Sequence, residues 1–206
     1  MDKTIFIVRH GETDLNKQGI VQGSGVDASL NDFGRRQAKA FFDFYQKEAF
    51  ETVITSTLVR THQTMEPFIE TGLPWMQIPE INEISWGSHE GKSSTPEMRK
   101  EYRRMVDSWK KGDFSANLGG GESAQDLADR LQVFIDHLLQ RPEQKLLVCS
   151  HGRAMRCLMC LLAGRPLQHM EQFHHHNTGL YKVHQAAGAF SLELYNDIRH
   201  LEGLES

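Results

Sequence analysis

Thr4-Ile5-Phe6-Ile7-Val8 runs straight into Arg9-His10-Gly11-Glu12-Thr13, and Leu146-Leu147-Val148-Cys149 runs into Ser150-His151-Gly152. Each stretch opens as a short, continuous apolar run, the pattern of a strand buried on both faces. Each closes on a His-Gly pair. In an open parallel sheet, ligands bind outside the carboxyl ends of the strands, so two such ends can present two histidines to one crevice. Glycine after each histidine lets the backbone turn and approach a ligand closely. Either pair alone could be a histidine that caps a strand; its recurrence at two strand ends favours a site. Thr52-Val53-Ile54-Thr55 reads as another buried strand and leads through Ser56-Thr57-Leu58-Val59 to Arg60, in the first turn of a helix near the same edge. Taken alone, Arg60 would be a solvated surface residue. Together with Arg9 it supplies two guanidinium forks, which suit phosphate oxygens better than a lysine point charge does.

Between these strands the spacing turns helical. A helix is predicted from Asn31, with Ala38, Phe41, Phe42 and Tyr45 on its apolar side, and another from Leu58 to Glu70, ended by Gly72 and Pro74. Residues 75–95 read as loop with a short extended piece near Gln77-Ile78. Met98, Tyr102, Met105 and Trp109 have helix spacing, and Gly119-Gly120-Gly121 breaks the chain. Ser123 with Asp126 resembles a capping box for a helix striped by Leu127, Leu131, Phe134 and Leu138. A further helix is predicted over Gly152 to Gly164, and two last strands near Gly179–His184 and Phe190–Tyr195 flank Ala187-Gly188. This alternation predicts an α/β fold, a three-layer α/β/α sandwich with a mostly parallel central sheet. The whole of 1–206 is expected to form one domain, with a helical lid or insertion at about 85–121. That insertion carries seven Lys/Arg between Lys92 and Lys111 against three acids.

Composition sets the outer bounds. In 206 residues, 39% are apolar, about 80 side chains and enough for a layered core. The 27 acidic and 23 basic residues give a formal charge of −4, which argues against a polybasic nucleic-acid binder and a disordered acidic tail. The longest apolar run, Cys157–Gly164, is far short of a membrane span. Met1-Asp2-Lys3 enters the first strand at once, with no visible signal peptide. Three cysteines fit a reducing compartment, so a cytoplasmic protein is expected. The unusual count is 11 histidines.

Arg9-His10-Gly11-Glu12-Thr13, with Asn16 three residues on, resembles the signature of the histidine phosphatase superfamily, which includes cofactor-dependent phosphoglycerate mutases and many small phosphatases. The resemblance continues through Gln22-Gly23, Leu30 with Gly34-Arg35-Arg36-Gln37-Ala38, and Ser56–Arg60 with Gln63-Thr64. It goes on through Glu83-Ile84-Ser85-Trp86-Gly87 with Glu90-Gly91, Gly121-Glu122-Ser123, Ser150-His151-Gly152 with Arg156, and Asn177-Thr178. These blocks stand in the family's order over nearly the whole chain and imply a phosphoglycerate mutase-like fold. The resemblance makes His10 the nucleophile that forms a phosphohistidine. Its attacking nitrogen must be unprotonated, so the other ring nitrogen should donate to a backbone carbonyl. Arg9, Arg60 and His151 would hold the non-bridging oxygens, with Asn16 a further ligand and Gln22, Gly23 and Gly152 beside the substrate. Glu83 would be the general acid and then the base that activates water, provided burial or the phosphate's charge keeps it protonated. No metal and no cofactor is implied, and the partner is a small phosphorylated substrate rather than nucleic acid or membrane. A monomer or homodimer is expected.

The chain also departs from the family's pattern. Ile20 stands where many relatives carry Arg, and the loop Ser24–Ser29 is a residue longer and lacks the usual aromatic and proline. Arg153 follows His151-Gly152 in a first helical turn, where a cation is disfavoured; it is either held by a substrate anion or solvated. The segment Gly87–Gly121 is shorter than the basic insertion of the mutases. The expectation is therefore a histidine acid phosphatase-type phosphomonoesterase, with 2,3-bisphosphoglycerate-dependent phosphoglycerate mutase as the alternative. Two other classes are weaker: a metal hydrolase using His10, His151 and Glu83, with His174-His175-His176 as a second site, and a non-catalytic binding protein. Cys157 and Cys160 match a redox spacing but lie mid-helix in an apolar run, which reads as core packing. Trp86 and Trp109 read as core or as lid lining.

Overall fold

In β1 (Lys3–Arg9), Ile5 and Ile7 turn to one apolar cluster while Phe6 and Val8 turn to another. The same division runs through β2 (Thr52–Thr55), where Ile54 and Val53 part, and through β4 (Lys145–Ser150), where Leu146 and Val148 part from Leu147 and Cys149. A strand with period-two side chains and both faces apolar must lie between two layers. The computed structural model describes residues 2–205; Met1, where the N-terminal reading began, and Ser206 lie outside the described residues.

Among the described residues the sheet has six strands in the order β3-β2-β4-β1-β5-β6, with β3 at Trp75–Gln77, β5 at Leu180–Ala186 and β6 at Ala189–Asp197. The pairings β3·β2, β2·β4 and β4·β1 are parallel, whereas β1·β5 and β5·β6 are antiparallel. One layer holds α2 (Asp32–Tyr45) and α3 (Val59–Ile69). The other holds α4 (Pro96–Lys110), α5 (Ala124–Gln140) and α6 (Gly152–Leu162). The expected three-layer α/β/α sandwich is therefore present.

Several boundaries moved. A four-residue helix, α1 (Asp14–Lys17), follows β1, closed by a Thr13/Asn16 capping box. It is too short for any periodicity to announce it. The extended piece expected near Gln77-Ile78 is β3, two residues earlier. Within the expected lid segment, Met105, Val106 and Trp109 of α4 are buried in the cluster that holds α5 and α6.

Register positions the site. Arg9 pairs with Ser150 across β1 and β4, so His10 and His151 leave the sheet side by side, and the His10 N–H donates to the Ser150 carbonyl at 3.0 Å. Their rings stand 5.2 Å apart, centroid to centroid.

Candidate active site

His10 is buried, and its Nδ1–H donates to the Gly11 carbonyl at 2.7 Å. A carbonyl can only accept, so this bond fixes the proton on Nδ1 and leaves Nε2 with its lone pair. Burial, then the charges of Arg60 and Arg9, push the imidazole pKa well below its usual 6.5. The neutral, attacking form is thus the resting form. The backbone here is clamped. Gly11 N–H donates to Thr64 Oγ1 at 3.0 Å, Asn177 Nδ2 donates to the His10 carbonyl at 3.0 Å, and Thr178 N–H donates to the Arg9 carbonyl at 3.0 Å. Thr178 keeps a left-handed φ of +54°, a conformation that costs a residue with a Cβ about 1–2 kcal/mol.

The motif around Gly34 supports the same turn. Glu12 N–H donates to Gln37 Oε1, and a Cβ at Gly34 would stand 2.0 Å from the Glu12 carbonyl, so only glycine lets α2 approach this closely.

Arg60 is fully buried rather than solvated. Its Nη1 donates to the Val26 carbonyl at 2.7 Å, Nη2 to the Gly23 carbonyl at 3.3 Å and Nε to His151 Nδ1 at 3.2 Å. His151 is also fully buried, with Nε2 2.8 Å from Ser56 Oγ. Because Nδ1 accepts from Arg60, the proton sits on Nε2 and points at Ser56. Burial and the charge of Arg60 hold this imidazole well below 6.5 too. The expected donation from His151 to a phosphoryl oxygen therefore requires a second proton on the ring.

Arg9 is the free cation of the site. Among the described residues its guanidinium makes no hydrogen bond, and its Nε is buried without a partner. Burial lowers its pKa to about 10, with Arg60 and Arg156 adding to the effect and Glu83 opposing it. It stays charged at neutral pH, a poorly solvated cation.

Glu83 is buried at the N-terminus of α6. Oε2 accepts from Arg153 N–H at 3.0 Å, and Oε1 accepts from Ala154 N–H at 3.0 Å and Ile84 N–H at 2.9 Å. Its loop is held by Arg130, which sequence reasoning missed. Arg130 donates to the carbonyls of Glu80 (2.6 Å), Asn82 (2.9 Å) and Glu83 (3.2 Å) and pairs with Glu122 through Nε at 2.7 Å. The signal was faint: Arg130 lies within α5, 47 residues from Glu83 in sequence.

Arg153 corrects an expectation. It is neither solvated nor free for a substrate anion: it is buried, paired with Glu171, bonded to the Tyr102 hydroxyl, and its guanidinium lies 5.4 Å from the Trp109 ring centre. Arg156 shares Glu171. Of the histidine triplet, His175 packs on Gly152, where an added Cβ would meet its Cε1 at 2.7 Å. Burial and the charges of Arg9 and Arg156 lower the His175 pKa to about 2. His176 instead meets Asn196, so the triplet does not converge. Among the described residues no group of three His, Cys, Asp or Glu side chains is arranged to hold a metal ion.

Asn16 Oδ1 accepts from Asn177 Nδ2 at 3.3 Å, one hydrogen bond from His10. Gln22 Nε2 donates to Thr13 Oγ1 at 2.8 Å. Both side chains line a cavity of about 500 Å³ that reaches α4. Trp109 is core, its indole N–H held by the Ala116 carbonyl at 2.9 Å, whereas Trp86 faces the cavity. Cys157 and Cys160 are buried free thiols, pushed by burial to about 12 and about 11, so the packing reading stands. Among the described residues no helix is long and apolar enough to cross a membrane.

Comparison with known proteins finds relatives in sequence and in fold. The family model of the histidine phosphatase superfamily (branch 1) matches residues 5–198. A protein of Serratia proteamaculans (strain 568) named "Probable phosphoglycerate mutase GpmB" is 31% identical over 96% of this chain and 94% of its own. The alpha-ribazole phosphatase from Shigella flexneri superposes with a TM-score of 0.82 at 25% identity, over 94% of this chain and 96% of its own. Bacillus stearothermophilus YhfR superposes with a TM-score of 0.84 at 25% identity, over 97% of this chain and 99% of its own.

Proposed function

The chain belongs to the histidine phosphatase superfamily, and we propose that it is a phosphomonoesterase that hydrolyses small phosphorylated molecules through a phosphohistidine at His10. The observation that carries this reading is the bond from His10 Nδ1 to the Gly11 carbonyl, which leaves Nε2 unprotonated beside two arginines.

In the first step Nε2 attacks phosphorus in line, the P–N bond forms and the ester P–O bond breaks. The leaving oxygen takes a proton from the Glu83 carboxyl. In the second step Glu83 takes a proton from water, the water oxygen attacks phosphorus, the P–N bond breaks and His10 returns to its neutral form. Arg9, whose guanidinium is unpartnered, binds the non-bridging oxygens. Arg60 is fixed by two loop carbonyls, so it adds charge in a set position. The Arg60 Nε–H occupies His151 Nδ1, so donation from this ring to a phosphoryl oxygen requires that bond to break and Nδ1 to take up a proton, which the negative charge of a phosphate dianion favours. Asn16, Gln22, Gly23 and Gly152 border this volume. No step requires a metal or a cofactor.

A low His10 pKa keeps the nucleophile neutral below pH 6.5, which supports the acid phosphatase type. The alpha-ribazole phosphatase similarity supports hydrolysis. The mutase name carried by the Serratia relative favours one second reading, bisphosphoglycerate-dependent phosphoglycerate mutase. Phosphate release from a panel of esters, run beside phosphoglycerate isomerisation with and without 2,3-bisphosphoglycerate, separates the two. Hydrolysis lost in His10→Ala, with an acid-labile phosphoryl group trapped only on the wild type, supports the proposal. Rapid cofactor-dependent isomerisation with negligible hydrolysis overturns it. We further propose a cytoplasmic enzyme, which its three free cysteines support, acting on a small phosphorylated substrate rather than nucleic acid or membrane, as a monomer or homodimer.

A further inference from the structure

The cavity beside Asn16 is built unlike the phosphate site. Ile20, Val21, Trp86, Met98, Tyr102 and Leu118 form its wall. The Tyr102 hydroxyl is taken by Arg153, so this residue offers the cavity its ring. Trp86 meets that ring edge to face, with centroids 5.7 Å apart, and the Arg153 guanidinium lies 5.8 Å from the Tyr102 ring centre, so the cavity meets a fixed aromatic corner. The wall is tied together. Ile20 bridges to Ser93, and Gly91 N–H donates to the Val21 carbonyl at 2.9 Å, so the two sides are joined without a ligand.

Polar groups sit at its ends. Asn16 is linked to the His10 carbonyl through Asn177, and Gln22, held by Thr13, keeps a buried amide oxygen without a partner among the described residues. Arg99 and Arg103, one helical turn apart on α4, are exposed at the rim. Neither has a carboxylate partner among the described residues; Arg99 donates to the Ser94 carbonyl at 2.6 Å. At about 500 Å³ the cavity falls within the ~300–1,000 Å³ typical of sites for drug-sized ligands.

From this layout we infer that the preferred substrate is a phosphomonoester whose alcohol part is a flat, apolar or aromatic body bearing a second anionic group at its far end. The inference rests on the phosphatase reading and specifies its leaving-group site. The phosphate lies at His10, the body stacks against Trp86 and Tyr102, and the distal anion meets Arg99 and Arg103. A three-carbon phosphorylated acid has no apolar surface with which to cover this wall.

The test compares kcat/KM for glycerol 3-phosphate, 2-naphthyl phosphate and 6-carboxy-2-naphthyl phosphate. The naphthyl ester should exceed the glycerol ester by about tenfold or more, as apolar pockets discriminate. The carboxyl group should add up to about fivefold, and high salt should remove that gain. Met98→Gln should lower the naphthyl-to-glycerol ratio, and Arg99→Glu with Arg103→Glu should reverse the carboxyl preference. Circular dichroism checks that each variant is folded. If the glycerol ester is preferred, or if the variants leave both ratios in place, the pocket inference is overturned while the phosphatase reading stands. If no ester is hydrolysed, the phosphatase reading falls, and calorimetry with the matching phosphonates decides the pocket. Tighter binding of the carboxynaphthyl phosphonate than of the glycerol analogue, weakened by the double variant, supports it; equal or absent binding overturns it.

Discussion

Glu83 accepts the backbone N–H of Arg153 at 3.0 Å, so the carboxylate proposed as general acid also closes the helix that begins after His151. Catalytic group and helix cap are one side chain. Glu83→Gln keeps the size and an acceptor but loses the transferable proton. We expect kcat to fall about 10²–10⁴-fold. The loss should be smallest for esters such as p-nitrophenyl phosphate, whose leaving group departs without a proton. An amide has one acceptor oxygen where the carboxyl group takes three backbone N–H bonds on two, so the unmet donors should cost about 1 kcal/mol, near 2–4 °C in Tm. An equal loss on good and poor leaving groups counts against the acid role.

Arg130 holds three successive parts of the Glu83 loop by their carbonyls while its other edge pairs with Glu122. A planar fork is needed to span these acceptors, which a lysine ammonium does not match. Arg130→Lys should therefore lose much of what Arg130→Met loses. Both should lower Tm, since the orphaned Glu122 and carbonyls cost about 1–3 kcal/mol each where buried. Both should also lower kcat more than they raise KM, because Glu83 is displaced while Arg9 and Arg60 stay in place. A fall in Tm with kcat untouched would make Arg130 purely structural.

The layers were legible because β1, β2 and β4 are apolar on both faces, a pattern that only a sandwiched sheet satisfies. His10 and His151 were legible because each ends such a strand, and the Arg9–Ser150 register then brings them together. The partners of Arg60 were not, since they are the carbonyls of Gly23 and Val26, and backbone acceptors carry no residue signal. Arg153 was misjudged for a similar reason. Its position in a first helical turn is local, but its partners Glu171 and Tyr102 come from other segments. The stripe Met98, Tyr102, Met105, Trp109 showed a helix without showing that its first two members line a cavity and its last two the core.

Cys149, Cys157 and Cys160 are all buried, and burial raises all three thiol pKa values. The thiolate is the reactive form, so each is protonated and shielded at neutral pH. A chromogenic thiol reagent should label none of them in the folded protein and all three in denaturant. Its rate in intermediate urea should then report opening of the sheet and α6. Fast labelling of Cys157 or Cys160 in the native state would revive the redox reading of their spacing.

Three buried histidines and the half-buried His175 should set the acid limit of stability. His200 is lowered to about 4 and His175 to about 2, both mainly by burial, and His10 and His151 are also pushed well below 6.5. Each is neutral in the native chain under conditions where the unfolded chain, with a pKa near 6.5, is already protonated. The unfolded state then binds more protons, so stability falls as pH drops below 6.5. It goes on falling until the native pKa is passed, near 4 for His200 and near 2 for His175. One such group contributes at most about 1.4 kcal/mol per pH unit. Urea unfolding between pH 6 and 5 should therefore show a slope steeper than one proton accounts for. His200→Gln retains a donor for Thr178 Oγ1, which lies 2.9 Å from His200 Nε2, and removes one titrating group. It should reduce that slope by about one proton while leaving activity on small esters intact. A flat profile from pH 7 to 5 would mean that these rings open to solvent and titrate freely in the folded protein.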